Sequence, residues 1–250
     1  SDEVCCLSSK TSGTLMKIPV MEIFGPTIQG EGMVIGQKTM FVRTGGCDYS
    51  CSWCDSKFTW DGTGKNTAMK AEEIIGTLKE IGGEAFSHIT ISGGNPALHK
   101  GLGEFINQCH EQGWKVAIET QGSFWQDWLL DIDDVTISPK PPSSLMKTDF
   151  SKLDLFMQNL GDSNVSLKVV IFDEEDFGYA EMIHTRYPEV PFFLQVGNDD
   201  VLTIDDQALV STLLKRFEWL IDRSMKSTIM NDAKVLPQLH ALIWGNKRGV

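Results

Sequence analysis

Six short apolar and β-branched runs, each ending in a polar or glycine-containing turn, alternate along this chain with longer stretches of helical periodicity. The runs are TMFVRT (39–44), HITISGG (88–94), KVAIETQG (115–122), DVTISPK (134–140), SLKVVIF (166–172) and PFFLQVG (191–197). Such runs read as strands buried on both faces, as in a parallel sheet covered by helices. Between them apolar residues recur at helical spacing: Ile74, Ile75, Leu78 and Ile81; Leu98, Leu102, Phe105, Ile106 and Cys109; Phe177, Ala180, Ile183 and Tyr187; and, after the last strand, Val210, Leu213, Leu214, Phe217 and Ile221. The alternation predicts an α/β fold of parallel βαβ units, with chemistry gathered where strands hand over to loops. A strand over 20–24 is expected to pair with a second arm before Gly36, forming an N-terminal hairpin or lid. The stretch 143–161 loses periodicity after Pro141-Pro142 and reads as an extended connection with a short helix.

A length of 250 residues suits one domain, expected over 18–250, preceded by a small, polar leader at 1–17 in which Cys5 and Cys6 are incidental. Twenty-two basic against thirty-four acidic side chains give a formal charge of −12, the wrong sign for holding nucleic acid. No apolar run approaches the roughly twenty residues of a membrane span, and no secretion signal is evident, so a cytoplasmic location is expected.

Directly after the first of these strands, Cys47, Cys51 and Cys54 stand in the pattern C-x3-C-x2-C. Thiolates are soft ligands that suit iron–sulfur clusters or zinc. Spacing alone leaves both open. Zinc in a structural site takes four protein ligands, so a histidine would have to join the three cysteines. A four-iron cluster on three cysteines leaves one iron open to a small molecule. Cys109 continues the apolar stripe of its helix and reads as core. Arg43, at the end of a buried strand, carries a guanidinium shaped for a bidentate carboxylate contact.

The triplet, with Trp53 just before its last cysteine, resembles the signature of the radical S-adenosylmethionine (SAM) superfamily, and the βα-like units resemble its partial, open TIM-like barrel of about six parallel strands with reduced helices. The resemblance implies a [4Fe-4S] cluster on Cys47, Cys51 and Cys54, with SAM chelated by the open iron and cleaved to a 5′-deoxyadenosyl radical. SGGNP (92–96) matches the motif that holds the amino end of SAM in that superfamily, with Asn95 where a glutamate is usual.

Five further segments narrow the resemblance: EIFGPTIQGEG (22–32), FVRTGGCDYSCSWCDS (41–56), ETQG (119–122), SPKPP (138–142) and Gln238-Leu239-His240. Together they resemble the 7-carboxy-7-deazaguanine synthase family over everything after residue 17. The implied activity is that of a carbon–nitrogen lyase, a radical ring contraction of 6-carboxy-5,6,7,8-tetrahydropterin to 7-carboxy-7-deazaguanine with loss of ammonia, on the route to 7-deazapurines such as queuosine. Substrate contacts are implied for Ile28, Gln29, Gly30, Glu31, Arg43, Ser92 and a terminal carboxylate on Val250, and SAM contacts for Trp53, Cys54, Asp55, Gly94, Ser138, Pro139 and Lys140. Glu119 and Gln195 join the SAM set from their strand-end placement, and Arg43 and Glu119 are the catalytic candidates. Ser56 is implied as a ligand of Mg2+ shared with the substrate. Trp244 is expected to anchor a docked tail and His240 to be a packed histidine. A homodimer and an electron donor such as flavodoxin or ferredoxin are implied as partners. The competing readings are a radical SAM activase of a glycyl-radical protein and a non-catalytic zinc-binding module.

Overall fold

Nine strands form one sheet in the computed structural model, which describes residues 16–250. Residues 1–15 of the expected leader, with Cys5 and Cys6, lie outside the described residues. In chain order the elements are β1 (Ile18–Ile28), β2 (Lys38–Thr44), β3 (Thr67–Met69), α1 (Ala71–Gly82), β4 (His88–Gly93), α2 (Leu102–Glu111), β5 (Lys115–Thr120), β6 (Asp134–Ile137), α3 (Phe150–Leu160), β7 (Val165–Ile171), α4 (Glu174–Arg186), β8 (Phe192–Val196), α5 (Asp206–Met225), β9 (Lys234–Leu236) and α6 (Leu239–Trp244). The spatial order is β3-β1-β2-β4-β5-β6-β7-β8-β9, open at both ends. From β2 through β9 every neighbouring pair is parallel, whereas β1 runs antiparallel to β2 and β3. All six expected strands are present, and the three-residue β9, too short to show a pattern, extends them.

Two expectations change. The partner of β1 is β2 itself, in a register running from Val20 opposite Thr44 to Ile28 opposite Lys38, and not an arm before Gly36. Within 143–161 lies a full helix, α3, whose first turn is capped by the Asp149 side chain accepting from the Lys152 N–H at 3.1 Å. Leu153, Phe156, Met157 and Leu160 form its buried face. The stripe is there in the sequence, but the preceding Ser-rich turn obscures where it begins.

Period-two alternation divides the sheet into two chemically different faces. Met40 and Val42, Ile89 and Ile91, Val116 and Ile118, Val135 and Ile137, Leu167, Val169 and Ile171, and Leu194 all join the apolar core with the buried stripes of α1 and α2. Each such side chain contributes about 1.5–3 kcal/mol on burial. The intervening positions carry Phe41 and Arg43, Thr90 and Ser92, Glu119, Thr136, Lys168 and Gln195. One face of the sheet is therefore oily and the other largely polar, and the polar face becomes a wall of the cavity.

Candidate active site

The cysteine loop leaves the end of β2 and is pressed against the end of β4. A Cβ on Gly94 would lie 2.2 Å from the Gly46 carbonyl oxygen and 2.8 Å from Cys47 Cβ, so only glycine permits this approach. Cys47, Cys51 and Cys54 are free thiols. N–H donors already face two of the sulfurs: Cys47 Sγ accepts from Tyr49 N at 3.4 Å and Gln121 Nε2 at 3.6 Å, and Cys54 Sγ from Trp60 Nε1 at 3.5 Å. Burial pushes the Cys47 thiol up and Cys51 up to about 11, so these sulfurs keep their protons until a metal displaces them. Among the described residues, no three Cys, His, Asp or Glu side chains gather where one ion could sit. Three soft thiolates on one short loop suit a cluster that leaves one iron open.

Asp48 bolts this loop to the strand ends. Its carboxylate accepts from Asn95 Nδ2 at 2.8 Å, Gln121 Nε2 at 2.8 Å and Ser123 Oγ at 2.5 Å. Asn95, fully buried, in turn accepts through Oδ1 from Thr120 Oγ1 at 2.7 Å and Ala97 N at 3.1 Å. Its amide is thus spent on the protein, which explains why an uncharged residue stands in the glycine motif. Trp53 is fixed by Nε1 donating to Ser143 Oγ at 2.9 Å and by packing on Phe172 with ring centroids 5.0 Å apart. Asp176 holds Ser143 through its N–H at 3.0 Å and its hydroxyl at 2.6 Å. Lys140 Nζ donates to Ser138 Oγ at 3.2 Å.

The opposite wall is charged. Arg43 donates from Nε to Glu22 Oε2 at 3.0 Å and from Nη1 to Ser56 Oγ at 3.1 Å, and Ser56 donates to Asp55 Oδ1 at 2.8 Å. Arg248 takes the other oxygen of Glu22, with Nε 3.1 Å from Oε1, and lies 3.5 Å above the Phe58 ring. Lys168, 1% exposed, bridges Glu119 at 2.8 Å and Glu31 at 3.1 Å. Glu31 Oε2 also accepts from Gln195 Nε2 at 2.9 Å and Gln238 Nε2 at 3.0 Å. Burial alone would raise the Glu31 carboxyl, but the Lys168 ammonium, with His240 and the Gln238 donor, holds it well below the usual carboxylate range. For Lys168 burial lowers the ammonium and the two carboxylates more than reverse this, so it stays charged. Gly30 passes so close to His240 that a Cβ would stand 2.2 Å from Nδ1.

Both walls face one cavity of about 610 Å3. Every expected site residue lines it except Ser138 and Pro139; Ser138 is buried behind Lys140, and Pro139 borders a smaller neighbouring pocket with Lys140. Trp244 is half-buried, and the polar contacts of the tail come instead from Arg248 and from Asn246, which bonds Asn198 at 3.0 Å and the carbonyls of Asp200 and Thr203 at 2.8 and 3.0 Å. Sequence reasoning missed Lys168, Asp48, Glu22 and Arg248. Only Lys168 left a signal, a lone charge within an apolar strand.

The radical SAM superfamily signature matches residues 41–138. A 7-carboxy-7-deazaguanine synthase from Bacillus cereus is 65% identical over 238 residues, covering 94% of this chain and 100% of that protein. This chain belongs to the 7-carboxy-7-deazaguanine synthase family. The synthase from Bacillus subtilis is 62% identical over 239 residues, covering 93% of this chain and 98% of that one. The crystal structure of QueE from Escherichia coli superposes with a TM-score of 0.62 at 21% identity, over 90% of this chain and 95% of that one, and shares its fold. Family membership supports the synthase reading over the glycyl-radical activase and the zinc module. Among the described residues no helix is long and apolar enough to cross a membrane.

Proposed function

We propose that this protein converts 6-carboxy-5,6,7,8-tetrahydropterin to 7-carboxy-7-deazaguanine and ammonia. The observation that carries the reading is that the cysteine loop and the Arg43, Glu31 and Glu119 wall line the same cavity. Product and ammonia together account for every atom of the substrate, so the overall reaction needs no net oxidant. Cys47, Cys51 and Cys54 would hold a [4Fe-4S] cluster that, with SAM, supplies the carbon radical for hydrogen abstraction. The glycines at 93 and 94 and the backbone of 53–55, with Lys140, line the cavity next to the cysteine loop and would hold SAM there.

The chain's own side chains orient the pterin. Arg43 is held on edge by Glu22 and Ser56 and keeps Nη2 for the substrate carboxylate. The Glu31 and Glu119 side chains accept from the N–H groups of the ring. The buried Ser92 Oγ has no partner within the protein among the described residues, which suits a ligand contact. Ile28, Gln29 and Gly30 form the adjoining rim, and Val250 lines the cavity with its main chain available to the same ring.

Ser56 Oγ and Asp55 Oδ1 are two hard oxygens 2.8 Å apart and suit Mg2+. The Arg43 guanidinium on the same hydroxyl opposes a cation there, so these two oxygens would hold Mg2+ only with the substrate carboxylate to balance the charge. The protein works as a cytoplasmic homodimer reduced by a flavodoxin or ferredoxin. Anaerobic incubation of iron-replete protein with SAM, reductant and the carboxypterin is expected to yield 7-carboxy-7-deazaguanine by mass. Cleavage of SAM with no such product would refute the substrate.

A further inference from the structure

Among the described residues Lys168 is the only lysine or arginine in the buried class. It interrupts the otherwise apolar tail of β7, Leu167 to Ile171, on the face that lines the cavity. Removing an ammonium from water costs several kcal/mol unless it is paired and hydrogen-bonded, so such a residue persists only where its partners hold it. Those partners come from distant parts of the chain. Glu119 stands at the end of β5, and Glu31 on the segment that follows β1 and reaches across to β7.

The remaining contacts are equally directed. Glu31 has both oxygens occupied, one by Lys168 and the other by Gln195 of β8 and Gln238 just before α6. Glu119 gives Lys168 only Oε2, and Oε1 has no protein partner among the described residues. His240 also acts on Glu31. The titratable groups facing one another at this wall are thus two carboxyl groups, the Lys168 amine between them, and the His240 ring.

We propose that Lys168 is a positioning residue for substrate binding: its ammonium, bridging Glu31 and Glu119, fixes both carboxyl groups in place on the cavity wall, so that the N–H edge of the bound ring meets ready acceptors. The proposal rests on the carboxypterin reading above. Without the ammonium, two carboxylates share a buried wall with no cation between them. One then takes up a proton at a pH where a free carboxyl is ionised, and an acceptor turns into a hydroxyl.

The test is equilibrium binding of the carboxypterin to iron-replete, SAM-loaded protein without reductant, from about pH 6 to pH 9, for the parent and for Lys168→Met. Variant is compared with parent at each pH, so titration of the ligand itself cancels. The variant is expected to bind more weakly and to lose affinity by up to about tenfold per pH unit below the raised carboxyl pKa, a slope absent from the parent, with iron content unchanged. A folded variant with the parent's affinity and pH profile would overturn the proposal. Should Lys168→Met not fold, Lys168→Gln, which keeps a neutral donor between the two carboxyl groups and removes the charge, takes its place. An acid-side loss relative to the parent supports the proposal, and the parent's profile overturns it. A parent that binds no carboxypterin at any pH fails the substrate reading instead, and is told apart because the parent arm fails.

Discussion

Replacing Asn95 by glutamate would restore the residue usual in the superfamily's glycine motif, and it should damage this protein. Asn95 has no exposed surface, and its amide touches Asp48, Ser123, Thr120 and the Ala97 N–H. Glutamate keeps an acceptor but has no N–H, so the 2.8 Å bond to Asp48 becomes an approach of two carboxylates. Loss of a hydrogen bond to a charged group is worth about 1.5–3 kcal/mol. One extra methylene in a filled site costs about 1–3 kcal/mol. Repulsion adds about 1 kcal/mol, small because Asp48 is exposed and screened. The sum is about 3.5–7 kcal/mol, enough to take up much of a domain's stability. Anaerobic denaturant titration, with iron per chain after reconstitution, should show a lowered midpoint and incomplete cluster loading. Adding Asp48→Asn removes the repulsion and should return about 1 kcal/mol as non-additivity. Parental midpoint and full iron in Asn95→Glu would refute the idea that this amide ties the cysteine loop to the sheet.

Alanine at Cys47, Cys51 or Cys54 should abolish iron binding, while Cys109→Ala should keep full iron and lose about 1 kcal/mol of stability as a small core truncation, read by metal analysis and thermal melts. Arg43→Lys keeps the charge but not the fork shared with Glu22 and Ser56, so substrate KM should rise about tenfold or more while SAM cleavage without substrate persists. Asp176→Ala leaves the Ser143 and Phe172 donors unpaired and frees Trp53, so stability should fall by about 3 kcal/mol and SAM affinity should weaken, checked by denaturation and equilibrium binding. Arg248→Ala removes one of the two guanidinium groups on Glu22, and substrate KM should rise with iron content unchanged.

The strands and most helices were legible because apolar periodicity is a local property, and TMFVRT through PFFLQVG need no partner to be recognised. The division of the sheet into an oily and a polar face was equally written in alternate positions, yet it was hidden while each run was read as uniformly buried. Lys168 is the clearest loss: its role depends on Glu31 and Glu119, which lie far away in sequence. The cysteine loop was readable from spacing, but its bolt, Asp48 to Asn95 and Gln121, is a matter of three strand ends meeting. The pairing of β1 with β2 was missed because a register is fixed by what faces the core, which no single strand displays.

The cavity is closed across the open side of the sheet by contacts of very long sequence separation: Glu22 with Arg248, 226 residues apart, and Glu31 with Gln238, 207 apart. Loop closure grows costlier with span, so these contacts form after the strands have zipped from neighbour to neighbour. They are also the first to part, because the sheet behind them keeps its own ladder when they do. The seam between Gly30 and the start of α6 carries one main-chain bond, from Leu239 N at 2.9 Å, so amide protons there are expected to exchange ahead of those in β4 to β8.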